Sequence, residues 1–78
     1  MNRDDKQFLQ GVGDRVRERR LALKLTQAEL GKRAGLHRTF VGSVERGERN
    51  VALLSLRKLA RVLRVPPAEL LTEPDPGA

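Results

Sequence analysis

Leu9, Val12, Val16 and Leu23 follow one another at spacings of three, four and seven, which puts them on one face of a helix. The pattern predicts a first helix over about Lys6–Leu23, started by Asp4 or Asp5 and weakened in its first turns by Gly11 and Gly13. Thr26 and Glu29 have the spacing of a capping box, so a second helix should run through "QAELGKRA" and stop at Gly35. A third is expected from about Arg38 to Glu45, ending near Gly47, with Val41 and Val44 as its apolar stripe. Leu53, Leu56, Leu59, Ala60 and Leu63 mark the apolar face of a fourth, over about Leu53–Arg64, which Pro66 and Pro67 end. Pro67 suits the first position of a short fifth helix reaching Leu71. No stretch alternates with a period of two. The expected fold is all-α, a compact bundle of five short helices. Residues 1–5 should fray, residues 6–72 should form the domain, and "EPDPGA" at 73–78 should be a disordered tail.

The second and third helices are joined by "GLH", too short a link for anything but a steep crossing. Gly31 offers a small residue at the crossing, Gly35 tolerates a positive φ in the turn, and Leu36 can plug the core. On a helical wheel, Thr39, Gly42, Ser43 and Arg46 lie opposite Val41 and Val44, with Arg38 at the edge and Phe40 on the flank. That outer face is slim. A glycine in a helix costs about 1 kcal/mol relative to alanine, so a bare face asks for a reason. Close approach of a large partner is one. A B-DNA major groove about 12 Å wide admits one helix, and Arg38 and Thr39 could then reach base edges.

Arg20 falls in the middle of the first helix's apolar face, between Val16 and Leu23. A buried guanidinium needs a partner. Glu45, beside the core stripe at the end of the third helix, is the candidate, and the pair would fix that helix's tilt. Removing one partner of such a buried pair costs about 3–5 kcal/mol.

Charge sharpens the picture. Sixteen Lys and Arg against ten Asp and Glu give a formal charge of +6, which fits a polyanion partner. Two phenylalanines are the whole aromatic content, too few for the stacking platforms that grip single strands. There is no cysteine and one histidine, so neither a disulfide framework nor a histidine–cysteine metal cluster is expected, and no cofactor is implied. No glycine-rich phosphate loop or convergent acid pair suggests an enzyme. No apolar run approaches the ~18 residues of a membrane span and no secretory signal opens the chain, so a cytoplasmic protein is expected.

Residues 15–65, and above all "LTQAEL", "AGL" and "SVERGERN" in that order and spacing, resemble the lambda repressor and Cro-type helix-turn-helix family. "GLHRTFVGSVERGERNV" looks especially like the small controller proteins of restriction–modification systems. The resemblance implies a lambda repressor-like fold with its helix-turn-helix at helices two and three. It also implies roles. Gln27 matches a residue that touches the DNA backbone and buttresses the third helix. Arg38, Thr39 and Ser43 match base-reading positions, and Phe40 matches a contact to backbone or a thymine methyl. Arg46, Arg49 and Asn50 match the loop that grips phosphates. Arg20 and Glu45 match a family salt bridge. His37 is read mainly as a turn residue with a phosphate contact as its functional role; it and Ala52 stand where the family often has a capping serine. Gly31 and Gly42 stand where larger residues are usual.

The implied partner is a double-stranded DNA operator, with RNA polymerase a further partner of such a regulator. Family members usually bind as two-fold dimers on inverted repeats with half-sites one turn, ~34 Å, apart. Leu54 lies off the core stripe, and Val65 and Leu71 gather near the C-terminal end, so a homodimer is expected through helices four and five, with Leu70 in the monomer's own core. Two other readings compete with a sequence-specific regulator. One is a sequence-independent nucleic-acid binder; the other is an antitoxin-like protein-interaction module.

Overall fold

Asn2, ahead of both aspartates, starts the first helix. In the computed structural model, which describes residues 1–73, the Asn2 side chain accepts the Asp5 amide hydrogen (2.8 Å) and α1 spans Arg3–Ala22. The helix thus begins inside the segment at residues 1–5. With Asn2 as cap, Asp4 and Asp5 fall in the first turn, where negative charge complements the helix dipole. Four more helices follow: α2 (Gln27–Ala34), α3 (Arg38–Glu45), α4 (Leu53–Leu63) and α5 (Pro67–Leu71), with no strand among the described residues. The tail expected at 73–78 lies, beyond Glu73, outside the described residues.

Each helix contributes to one core. Val12 and Val16 of α1, Leu30 and Ala34 of α2, Val41 and Val44 of α3, the Leu56–Leu63 stripe of α4 and Leu70 of α5 form a single buried cluster. Burying one such leucine or valine contributes about 1.5–3 kcal/mol. Leu53 departs from expectation. It opens α4 one turn before the helix meets the core at Leu56, and it is 79% exposed.

The connections follow from single residues. Thr26 and Glu29 form the capping box: the Glu29 amide donates to Thr26 Oγ1 (3.0 Å) and the Thr26 amide to Glu29 Oε1 (2.9 Å). Gly35 ends α2 at φ 72°, and its neighbour Leu36 donates its amide to the Gly31 carbonyl (2.8 Å). A Cβ on Gly31 would lie 2.5 Å from the Leu36 carbonyl oxygen and 3.2 Å from the Arg38 nitrogen, so the small residue is required by the turn itself. Ala52 gives α4 no side-chain cap. Lys24 and Arg64 adopt positive φ after α1 and α4, a cost that no glycine relieves.

α1 also holds the far end of the chain. Arg15 Nε donates to the Leu70 carbonyl (2.9 Å) and Arg19 Nε to the Leu63 carbonyl (2.8 Å). Last-turn carbonyls have no partner within their own helix, so these two arginines satisfy α5 and α4 from outside.

The capping box makes a pH prediction. Hydrogen bonds from the Thr26 backbone and side chain, with help from Arg33, hold the Glu29 carboxyl below its ordinary range. A depressed folded value adds stability above the unfolded value of about 4.3 and loses it as pH falls through the folded one. Urea titrations of wild type and Glu29→Gln should therefore differ most at neutral pH and converge as pH falls through the folded value.

Candidate nucleic-acid interface

The eight residues of α3 are held at both ends. At its start, His37 Nδ1 accepts the Thr39 amide hydrogen (3.0 Å), so the imidazole does the work of a capping hydroxyl and carries its proton on Nε2. At its end, Glu45 is buried with Arg20 in a bidentate pair: Nε to Oε2 at 2.7 Å and Nη2 to Oε1 at 2.9 Å. Arg20 Nη1 donates to the Leu25 carbonyl (2.8 Å), and Gln27 Nε2 donates to Glu45 Oε1 (3.1 Å). The residues are 7% and 5% exposed. The hydrogen bond to Glu45 raises the Arg20 pKa further above its ordinary value, against the opposing effect of burial. This network ties α1, α2 and α3 together at one point.

Gly13 completes the support. It read as a weak point of the first helix, yet it is buried, and a Cβ there would lie 2.7 Å from the Glu45 carbonyl oxygen and collide with that of Val44. The end of α3 rests directly on the α1 backbone. Gln10 Nε2 adds a hydrogen bond to the Glu45 carbonyl (3.3 Å). Gly13→Ala should therefore cost about 1–3 kcal/mol, the usual range for overpacking, measured by thermal unfolding.

With α3 so propped, its N-terminal half projects. Arg38 and Thr39 are exposed, and Arg38 makes no ion pair among the described residues. The rest of the outer face corrects the wheel. Gly42 is buried, because the Gln27 and Arg46 side chains lie over it: a Cβ would sit 3.2 Å from Gln27 Oε1 and 3.1 Å from Arg46 Nη1. Its smallness makes room for those two side chains. Ser43, expected to face a base, is 6% exposed. Its hydroxyl donates to the Phe40 carbonyl (2.7 Å) and accepts from Arg49 Nε (3.1 Å). The wheel missed this because the loop after α3 folds back over the helix, turning at Gly47 with φ 73°.

The remaining expected site residues fall as follows. Phe40 is half-buried against the core, with the Arg49 guanidinium carbon 5.6 Å from its ring centre. Arg46 is exposed and paired with the exposed Glu48 (3.1 Å), a contact worth little in water. Arg49 and Asn50 are exposed in the loop. Gln27, His37, Phe40, Arg46 and Arg49 thus gather on or beside α3. Leu54, Val65 and Leu71 lie elsewhere, at the start of α4, just after it and at the end of α5. Sequence reading missed Gly13, Gln10 and Leu25, whose carbonyl serves Arg20. A glycine in mid-helix was the available signal for the first.

Two helices joined by the short turn at residues 35–37, the second propped by a buried ion pair and presenting an arginine with no ion pair among the described residues, form a helix-turn-helix. A helix-turn-helix family model (HTH_3) matches residues 16–70. The chain belongs to the lambda repressor-like helix-turn-helix family. It is 46% identical over 61 residues to Control protein C.SmaI of Serratia marcescens, covering 78% of this chain and 73% of that one. It is 40% identical over 60 residues to Control protein C.BamHI of Bacillus amyloliquefaciens, covering 76% and 74%. Its fold matches the crystal structure of the restriction–modification controller protein C.AhdI from Aeromonas hydrophila with a TM-score of 0.77 and 48% identity, over 80% of this chain and 94% of the other. Membership in this family makes the protein a DNA-binding regulator of transcription, and the family is one of non-enzymatic regulators. No helix among the described residues is long and apolar enough to cross a membrane.

Proposed function

We propose that the protein is a sequence-specific controller of a restriction–modification system, binding an inverted-repeat operator as a homodimer with α3 in the major groove. The observation that carries this reading is the projection of Arg38 and Thr39 from a helix clamped at its other end by Arg20 and Glu45. A helix held at a fixed tilt can match base edges without first being ordered. Arg46, Arg49 and Asn50 supply phosphate contacts that set register and salt dependence, with the His37 Nε2 hydrogen and the Gln27 side chain as further backbone donors. The likeness to named control proteins supports the regulatory role. RNA polymerase, as a partner of the bound dimer, belongs to this proposal as well.

Binding to the DNA upstream of its own gene, in competition with random duplex at fixed salt, tests the reading. A preference of at least ~10³-fold is expected. Equal affinity would identify a sequence-independent binder, and a stable protein complex with no duplex affinity would identify an interaction module.

The dimer rests on exposed apolar residues. Leu54 is 63% exposed and Leu71 is 38% exposed, Val65 is half-buried, and Leu53 joins them from the α4 first turn; Leu70 is in the core. Leu54→Asp should yield a monomer in sedimentation and weaken operator binding at least tenfold, since one domain reads only a half-site.

A further inference from the structure

Ser43 has no free donor to offer a base. Its one hydroxyl hydrogen goes to the Phe40 carbonyl at 2.7 Å, and its oxygen receives Arg49 Nε at 3.1 Å. Arg49 in turn lies against the Phe40 ring, 5.6 Å from its centre, and forms no ion pair among the described residues. The guanidinium is therefore held by Nε on one side and by the aromatic face beneath it. What remains free is the pair of Nη groups, in one plane and on the exposed edge. That fork fits two adjacent acceptors, the non-bridging oxygens of a phosphate or O6 and N7 of a guanine.

We infer that Ser43 and Phe40 form a seat that fixes Arg49 in its DNA-binding pose, so that Ser43 is a positioning residue and touches no base. The inference rests on the proposal that this face binds duplex DNA. Seating the side chain before binding removes the freedom that a loop arginine would otherwise lose on contact. Phe40 has a double part: it packs on the core and carries the guanidinium, so the seat is referred to the rigid body of the domain.

The test has two independent arms. In the free protein, the Arg49 Nε–H resonance should exchange slowly with water in wild type and rapidly in Ser43→Ala, while the backbone spectrum stays folded. Fast exchange in wild type would overturn the seat without any DNA present. In the second arm, wild type, Ser43→Ala, Arg49→Ala and the double variant are titrated onto a duplex selected from a random pool by wild type, and onto random duplex. Ser43→Ala should weaken binding about 3–10-fold in the wild-type background and not at all in the Arg49→Ala background. An undiminished Ser43→Ala loss in the Arg49→Ala background would return Ser43 to direct contact and overturn the inference. The same cycle separates the two acceptors. A phosphate predicts that Arg49→Ala lowers the salt slope by about one and weakens both duplexes alike; a guanine predicts altered preference at one base pair. Should wild type show no sequence preference, the regulatory reading fails while the cycle on random duplex still decides the seat.

Discussion

Glu45→Ala is expected to remove about 3–5 kcal/mol of folding stability. The reason is asymmetry. The substitution deletes the acceptor of three hydrogen bonds, two from Arg20 and one from Gln27, and leaves a guanidinium buried without its counter-charge. Small domains have about 5–15 kcal/mol in all, so the variant should unfold at a clearly lower urea concentration, read by circular dichroism. Replacing both partners with apolar residues, Arg20→Met with Glu45→Leu, should recover much of the loss, because no charge is then stranded. That double variant should nonetheless bind DNA poorly, since the side-chain clamp that sets the tilt of α3 against α1 and α2 is then gone. An unchanged midpoint in Glu45→Ala would show that the pair does not hold the helix. Acidity or alkalinity near neutrality should not expose the effect through Arg20. A raised folded pKa adds stability that is complete below the ordinary arginine range, far above neutrality, and is lost only above the folded value.

Arg38→Ala should cost little stability and much specificity. Arg38 opens α3, is exposed and makes no ion pair among the described residues, so the fold gives nothing up with it. In the proposed complex it reaches a guanine with two parallel hydrogen bonds, worth about 1–3 kcal/mol of discrimination, or roughly 5–150-fold against the wrong base. Random duplex should be bound nearly as before. A panel of operator duplexes changed one base pair at a time would show the preference flattening at one position. If the ranking of those duplexes were untouched, Arg38 would be a phosphate contact and the orientation of α3 would need revision.

The hydrophobic spacing foretold five helices and placed α2, α3 and α5 closely, because their ends carry strong local signals: the Thr26–Glu29 box, Gly35, Gly47 and Pro67. It placed the start of α1 three residues late. Asn2 and the two aspartates are all good caps, and sequence alone does not rank them. The Arg20–Glu45 pair was legible because a charged residue stood in an apolar stripe. Ser43 was not legible. Its burial comes from the loop folding back over α3, a contact that no wheel drawn for one helix contains. Gly42 was seen to be special, but its cause, the Gln27 and Arg46 side chains above it, belongs to another helix and to the loop. Leu53 shares a spacing with the core leucines, yet at the first turn of a helix spacing alone does not bring a side chain to the core.

The reach of Arg15 and Arg19 across to Leu70 and Leu63 has a consequence for how the molecule is made. During synthesis α1 waits for partners 55 and 44 positions downstream. A chain halted before residue 70 would lack Leu70 in its core and the carbonyl that Arg15 holds. The packing of the domain is therefore complete only once α5 has been made and has docked on α1.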